Sequence, residues 1–115
     1  MSVAKRIAVS FYRTPVGKEP VREWLKSLSK ADTAIVGKDL LKIELGFPLG
    51  LPVCRALGWG LWECRSELTQ GRIARVIFCV AAARLVALHG FIKKTQKTPQ
   101  DAIDLALKRK KEAGL

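Results

Sequence analysis

Residues 61–94 read LWECRSELTQGRIARVIFCVAAARLVALHGFIKK, and the fold turns on this stretch. Its β-branched and aromatic residues fall into three runs with short breaks, the pattern of consecutive antiparallel strands. Thr69-Gln70-Gly71 suits a three-residue hairpin loop, with Gly71 in the left-handed conformation such loops need. That loop pairs Leu68 with Arg72, and therefore Arg65 with Arg75. Ala81-Ala82-Ala83, read as a second three-residue loop, pairs Val80 with Arg84, and therefore Arg75 with His89. Side chains alternate faces along a strand. One face then carries Trp62, Cys64, Leu68, Ala74, Val76, Phe78, Val80, Val86, Leu88 and Ile92, and calls for a layer of helices. The other carries Glu63, Arg65, Glu67, Arg75, His89 and Lys93 among Ile73, Ile77, Leu85, Ala87 and Phe91. Arg65, Arg75 and His89 form a cationic row across it. The row depends on the second loop, because a two-residue turn there breaks it.

With 115 residues the chain is expected to be one domain, residues 1–115, large enough to bury a real core. A hydrophobic content of 49% excludes a disordered chain. The net charge of +11 and a pI near 10.1 point to a polyanion or an acidic protein as partner. The first ten residues place Lys5 and Arg6 inside the apolar stretch, unlike a secretory signal. No apolar run approaches the roughly 20 residues of a membrane span. Cys54, Cys64 and Cys79 are too scattered, with a single histidine, to make a zinc pattern. They are expected to be reduced, in a cytoplasmic protein without metal or cofactor.

Upstream, Val3 to Tyr12 alternates loosely and is expected to form the first strand. Pro20 suits the first position of a helix, and Val21, Trp24, Leu25 and Leu28 make its apolar stripe. Ser29 and Asp32 are alternative caps for a second helix ending at Gly46. Residues 46–53 read as a loop, Cys54 to Leu57 as a short strand, and Gly58-Trp59-Gly60 as a bend. Trp59 and Trp62 suit core or loop anchors better than base-stacking platforms. Thr98 as cap and Pro99 as first residue open a last helix, with Ala102, Ile103, Ala106 and Leu107 inward and Lys108–Lys111 at its end. The fold class is α+β: an antiparallel sheet, two N-terminal helices on one face, and a C-terminal helix.

His89-Gly90 is the densest candidate for chemistry. Gly90 in mid-strand signals a bulge or a close approach to the backbone, and beside His89 it leaves room for a ligand. Cations at Arg75 and Lys93 bias the imidazole towards its neutral form, ready to accept a proton. Arg65 and Arg75 suit a phosphate or its transition state. The competing structural role is pairing with Glu63 or Glu67.

The order Gly60-Leu61-Trp62-Glu63-Cys64-Arg65, Arg75-Val76-Ile77-Phe78 and Leu88-His89-Gly90-Phe91-Ile92-Lys93-Lys94-Thr95-Gln96-Lys97-Thr98-Pro99 resembles the phage-derived HigB-type toxins of the RelE/ParE superfamily. The resemblance implies a RelE-like domain and ribosome-dependent, metal-free endonuclease cleavage of messenger RNA. It implies neutralisation by a helix-turn-helix antitoxin of the HigA type. Matched positions carry the implied catalytic roles: Arg65, Arg75, His89 and Lys93. Lys94, Lys97 and Arg72 are expected to bind RNA. Some relatives use a C-terminal tyrosine or histidine; here the only tyrosine is Tyr12, so that role is unassigned. Metal-free cleavage needs a base for the 2′-hydroxyl, cations for the phosphorane and an acid for the leaving oxygen. The other functions compatible with the chain are a ParE-like gyrase inhibitor and a non-enzymatic nucleic-acid-binding phage protein.

Overall fold

The computed structural model of the chain describes residues 7–47, 54–94 and 97–115. The expected loop over 48–53 and the start of the first strand, Val3 to Arg6, lie outside the described residues. In chain order the elements are β1 (Ala8–Phe11), α1 (Pro20–Ser27), α2 (Lys30–Gly46), β2 (Cys54–Gly58), β3 (Leu61–Glu67), β4 (Ile73–Ala81), β5 (Arg84–Lys93) and α3 (Gln100–Glu112). The strands form one sheet in the order β1-β5-β4-β3-β2. Strands β2 to β5 are antiparallel, as expected, but β1 joins β5 in parallel, so the sheet is mixed. The chain reaches β5's place beside β1 only after α1, α2 and three more strands, a connection long enough for the parallel arrangement. The outer edge of β1 is not left open: the Ile7 and Val9 amides donate to Glu44 on α2, to its carbonyl and its carboxylate respectively.

The helices form where the sequence says. Pro20 opens α1 at its first turn. Ser29, not Asp32, caps α2, its hydroxyl accepting the Asp32 amide at 3.1 Å. Val21, Val36, Leu40 and Ile43 from these helices pack on Cys64, Ala74, Val76 and Phe78 of one sheet face, with Trp24, Leu25, Leu28 and Trp62 around them. α3 covers the other face, where Ala102, Ile103 and Ala106 meet Leu61, Ile77, Cys79, Val86 and Leu88.

Two features of β5 depart from expectation. The first hairpin is as read, with Leu68 hydrogen-bonded to Arg72 and both Gln70 and Gly71 left-handed. The second is shorter by one residue: Ala81 pairs with Arg84, and Ala82 and Ala83 alone turn the chain at φ 49° and 62°. This double left-handed turn matches the strand twist, which outweighs the strain of two alanines there. The shorter turn reverses the faces at the start of β5. Leu85 and Ala87 therefore face α1 and α2, while Val86 and Leu88, expected there, lie beneath α3. A bulge between Ile77 and Phe78 then sets Ile77 opposite His89 and Phe78 opposite Ala87. The extra residue returns His89 to the face carrying Arg65 and Arg75.

Gly90 has a structural explanation. It pairs with Val76 on the helix-covered face, and a methyl group there would overlap the Trp24 ring. The close approach is made by α1, not by a ligand as expected. Gly90→Ala should therefore lower stability in urea unfolding by about 1–3 kcal/mol, the usual cost of overpacking. The loss should shrink in a Trp24→Leu background. An unchanged loss there would detach Gly90 from Trp24.

Candidate functional site

The face opposite α1 and α2 is only partly covered by α3. Beyond the helix, its side chains stand in rows fixed by strand register. Arg55, Glu63, Ile77 and His89 are successive partners across β2 to β5. The next row is Arg65, Arg75 and Phe91, and the next Glu67, Ile73 and Lys93. Arg65 stands opposite Arg75, as expected. Arg75 stands opposite Phe91 and not His89, because the two-residue turn and the bulge each shift β5 by one residue.

Glu63 organises the first group. It is fully buried, and a buried carboxylate needs charged or donor partners. One oxygen lies 3.3 Å from Arg55 Nε and 3.5 Å from Arg65 Nε. The other accepts the Thr98 hydroxyl, which itself accepts Arg55 Nη2 at 3.3 Å. Thr98 is thus tied to the sheet and does not cap α3; Pro99 holds that position. Arg75 is also fully buried, against the expectation of a phosphate contact. Its Nη1 donates to the Lys97 carbonyl at 3.2 Å, and its guanidinium lies 5.9 Å from the Phe91 ring centre. Burial, and then repulsion from Arg65, lower its pKa, and Glu63 opposes them. Arg75 and Glu63 together fasten the connection from β5 to α3.

The second group lies in a cleft of about 120 Å³ between the end of β5 and the start of α3. His89, Phe91 and Lys93 form one wall, and Pro99, Asp101, Ala102 and Leu105 the other. The His89 ring stacks on Phe91 at 5.2 Å, so Phe91 touches both groups. Burial first, and then Arg109, push the His89 pKa down, while Asp101 pulls it up. The imidazole is therefore biased to neutral as expected, but by different neighbours than Arg75 and Lys93. Arg109 is held in place by the Leu88 carbonyl at 2.8 Å and by the Tyr12 ring. Tyr12 is buried, and its hydroxyl donates to Glu112 at 2.7 Å.

The site residues thus separate. Arg65 and Arg75 are brought together, and so are His89 and Lys93, but not all four in one exposed line. Lys94 and Lys97 are exposed at the end of β5 and just before α3. Arg72 lies on the other side of the sheet, forked onto Asp32 of α2 at 2.8 and 3.1 Å. Asp101 and Arg55 escaped the sequence reading. Asp101 looked like a helix-start residue, and Arg55 carries no motif of its own. The only signal for Arg55 was its place on a strand beside Glu63. Among the described residues no group of three or more His, Cys, Asp and Glu is placed to hold a metal ion. No helix among them is long and apolar enough to cross a membrane.

Residues 23–111 match the family described as phage-derived protein Gp49-like. The chain belongs to this family. The match runs from α1 through α3 and includes Arg55, Glu63, Arg65, Arg75, Thr98 and every residue lining the His89 cleft. The Gp49-like proteins are related to the RelE-type toxins. No curated protein matches the chain.

The chain's one histidine makes its titration directly readable. By proton NMR the His89 midpoint should fall below the ordinary 6.5, and Arg109→Ala should raise it. With the folded pKa depressed, the unfolded chain takes up the proton first. His89's share of stability is then present above about 6.5 and is lost as pH falls through the folded pKa. A midpoint at or above 6.5 would contradict this account.

Proposed function

We propose that this Gp49-like protein is the toxin of a type II toxin–antitoxin pair and cleaves messenger RNA on the ribosome. The observation that carries the reading is His89, half-buried and biased to neutral, beside Lys93 in a cleft that shares a sheet face with Arg65. A neutral imidazole is the form able to take the proton of a 2′-hydroxyl. The 2′-oxygen then attacks the adjacent phosphorus, and the bond to the 5′-oxygen breaks. Lys93, exposed at the rim, supplies the proton or charge for that leaving oxygen. Arg65 stabilises the charge that develops on the phosphorane. Arg75 acts behind it as a buried support. Lys94 and Lys97 extend the cationic surface beyond the end of β5. Phe91, Pro99 and Leu105 offer an apolar surface for a base. The cleft is small and open-sided, which favours a substrate strand presented by the ribosome over one captured free in solution.

The +11 charge also suits an acidic surface on a helix-turn-helix antitoxin. An antitoxin segment laid across Lys93, Lys94 and Lys97 would occlude the cleft.

Primer extension on messenger RNA from a translating extract tests the reading. Wild type should cut. His89→Ala should lose about 10²–10⁴-fold in rate, and Arg65→Ala about 10²-fold, with folding kept. A 2′-deoxy nucleotide at the scissile position should block cleavage and spare binding. Cutting should survive EDTA once ribosome integrity is controlled. Equal cutting by His89→Ala would remove His89 from the mechanism. No cutting by wild type, with inhibition of supercoiling, would favour a gyrase-directed toxin.

A further inference from the structure

We infer that Arg55 and Arg65, both anchored on Glu63, form a binding site for an RNA phosphodiester, with Arg75 as a fixed charge beneath it. The two arginines come from neighbouring strands, β2 and β3. The Nε of each lies at ion-pair distance from the same oxygen of Glu63, 3.3 and 3.5 Å away, with neither hydrogen-bonded to it. A shared anchor of this kind sets the two guanidinium heads side by side and removes much of the freedom they would lose on binding. Both side chains reach solvent, that of Arg55 48% exposed and that of Arg65 22%. Glu63 is fully covered, so its negative charge meets the arginines from below and leaves the outer side cationic.

The crowding of like charges points the same way. Arg65 and Arg55 both repel Arg75, which lies fully buried behind them. Three guanidinium groups gathered around one carboxylate are relieved by an anion on the open side. Thr98 closes one edge through its bond to Arg55, and the exposed Lys97 stands one residue before it. Arg65 is shared with the proposed cleavage step, whereas Arg55, on β2 and one strand further from the His89 cleft, reaches the phosphate adjacent to the one cleaved. The site's identity as an RNA subsite rests on the proposed function, whereas its preference for a phosphodiester does not.

The test is fluorescence anisotropy of a short, single-stranded RNA with a 2′-O-methyl backbone, which cannot be cleaved by 2′ attack. Wild type, Arg55→Ala, Arg55→Lys and, as a control on the opposite face, Lys26→Ala are titrated at several salt concentrations. Arg55→Ala should weaken binding about tenfold and flatten the salt dependence by about 0.7 in slope. Arg55→Lys should recover part of the affinity, and Lys26→Ala should match wild type. Arg55→Ala with wild-type affinity and slope would overturn the site, as would an equal loss in Lys26→Ala. Cleavage in the translating extract is scored separately. Loss of binding in Arg55→Ala with no cleavage by wild type would uphold the site and defeat the nuclease. Cleavage by wild type with unaltered binding by Arg55→Ala would do the reverse.

Discussion

A carboxylate with no access to water sits beneath the candidate site, and much of the local structure follows from it. Removing a charge of this kind from water costs several kcal/mol even after relaxation, unless good partners surround it. Glu63 has Arg55 and Arg65 at ion-pair distance and the Thr98 hydroxyl on its second oxygen. The partners come from β2, β3 and the segment before α3. The electrostatic need of one side chain therefore joins the neighbouring strands β2 and β3 to a segment 35 residues further along the chain. Arg75 makes the complementary tie through the Lys97 carbonyl.

These ties decide what the outer face of the sheet can do. With the connection fixed at Lys97 and Thr98, α3 starts beside β5, and its first turn becomes the far wall of the His89 cleft. The helix then runs away from the connection and buries Leu61, Ile77, Cys79, Val86 and Leu88. One half of the face is thus apolar core, and in the other half Arg55, Arg65 and Lys93 reach solvent while Glu63 and Arg75 are buried beneath them. On the other face, Arg72 is spent on holding Asp32, while Trp24 fills the space above Gly90. Trp59, read as a core or loop anchor, is 68% exposed in a left-handed turn, whereas Trp62 packs edge-on against Phe47.

The α+β architecture was legible because the strands announce themselves and Gly71 fixes the first hairpin. Arg65 opposite Arg75 followed directly. The second hairpin was not legible, because Ala81-Ala82-Ala83 has no residue that demands one turn length. Gly90 offered either a bulge or a close backbone approach; both occur in this part of β5, but the glycine could not say that the bulge precedes it, between Ala87 and His89. Two one-residue shifts cancel beyond the bulge, so His89 lies on the face expected, while Val86 and Leu88, before the cancellation, do not. The burial of Arg75 could not be read at all. It depends on where residues 97–99 cross the sheet, and a mid-strand arginine looks the same whether it faces a phosphate or a backbone carbonyl. Its neighbour Glu63 was visible on that face, but its burial was not.

The division between a supporting Arg75 and a surface-facing Arg65 is the central claim, and equilibrium unfolding in urea tests it most directly. Arg75→Met and Arg65→Met are compared with wild type under the same conditions. Arg75→Met should lose roughly 3–5 kcal/mol, as breaking a buried charged network does, and Arg65→Met clearly less. Arg75→Met as stable as wild type, or no more destabilised than Arg65→Met, would contradict the account and return Arg75 to the role of a phosphate ligand.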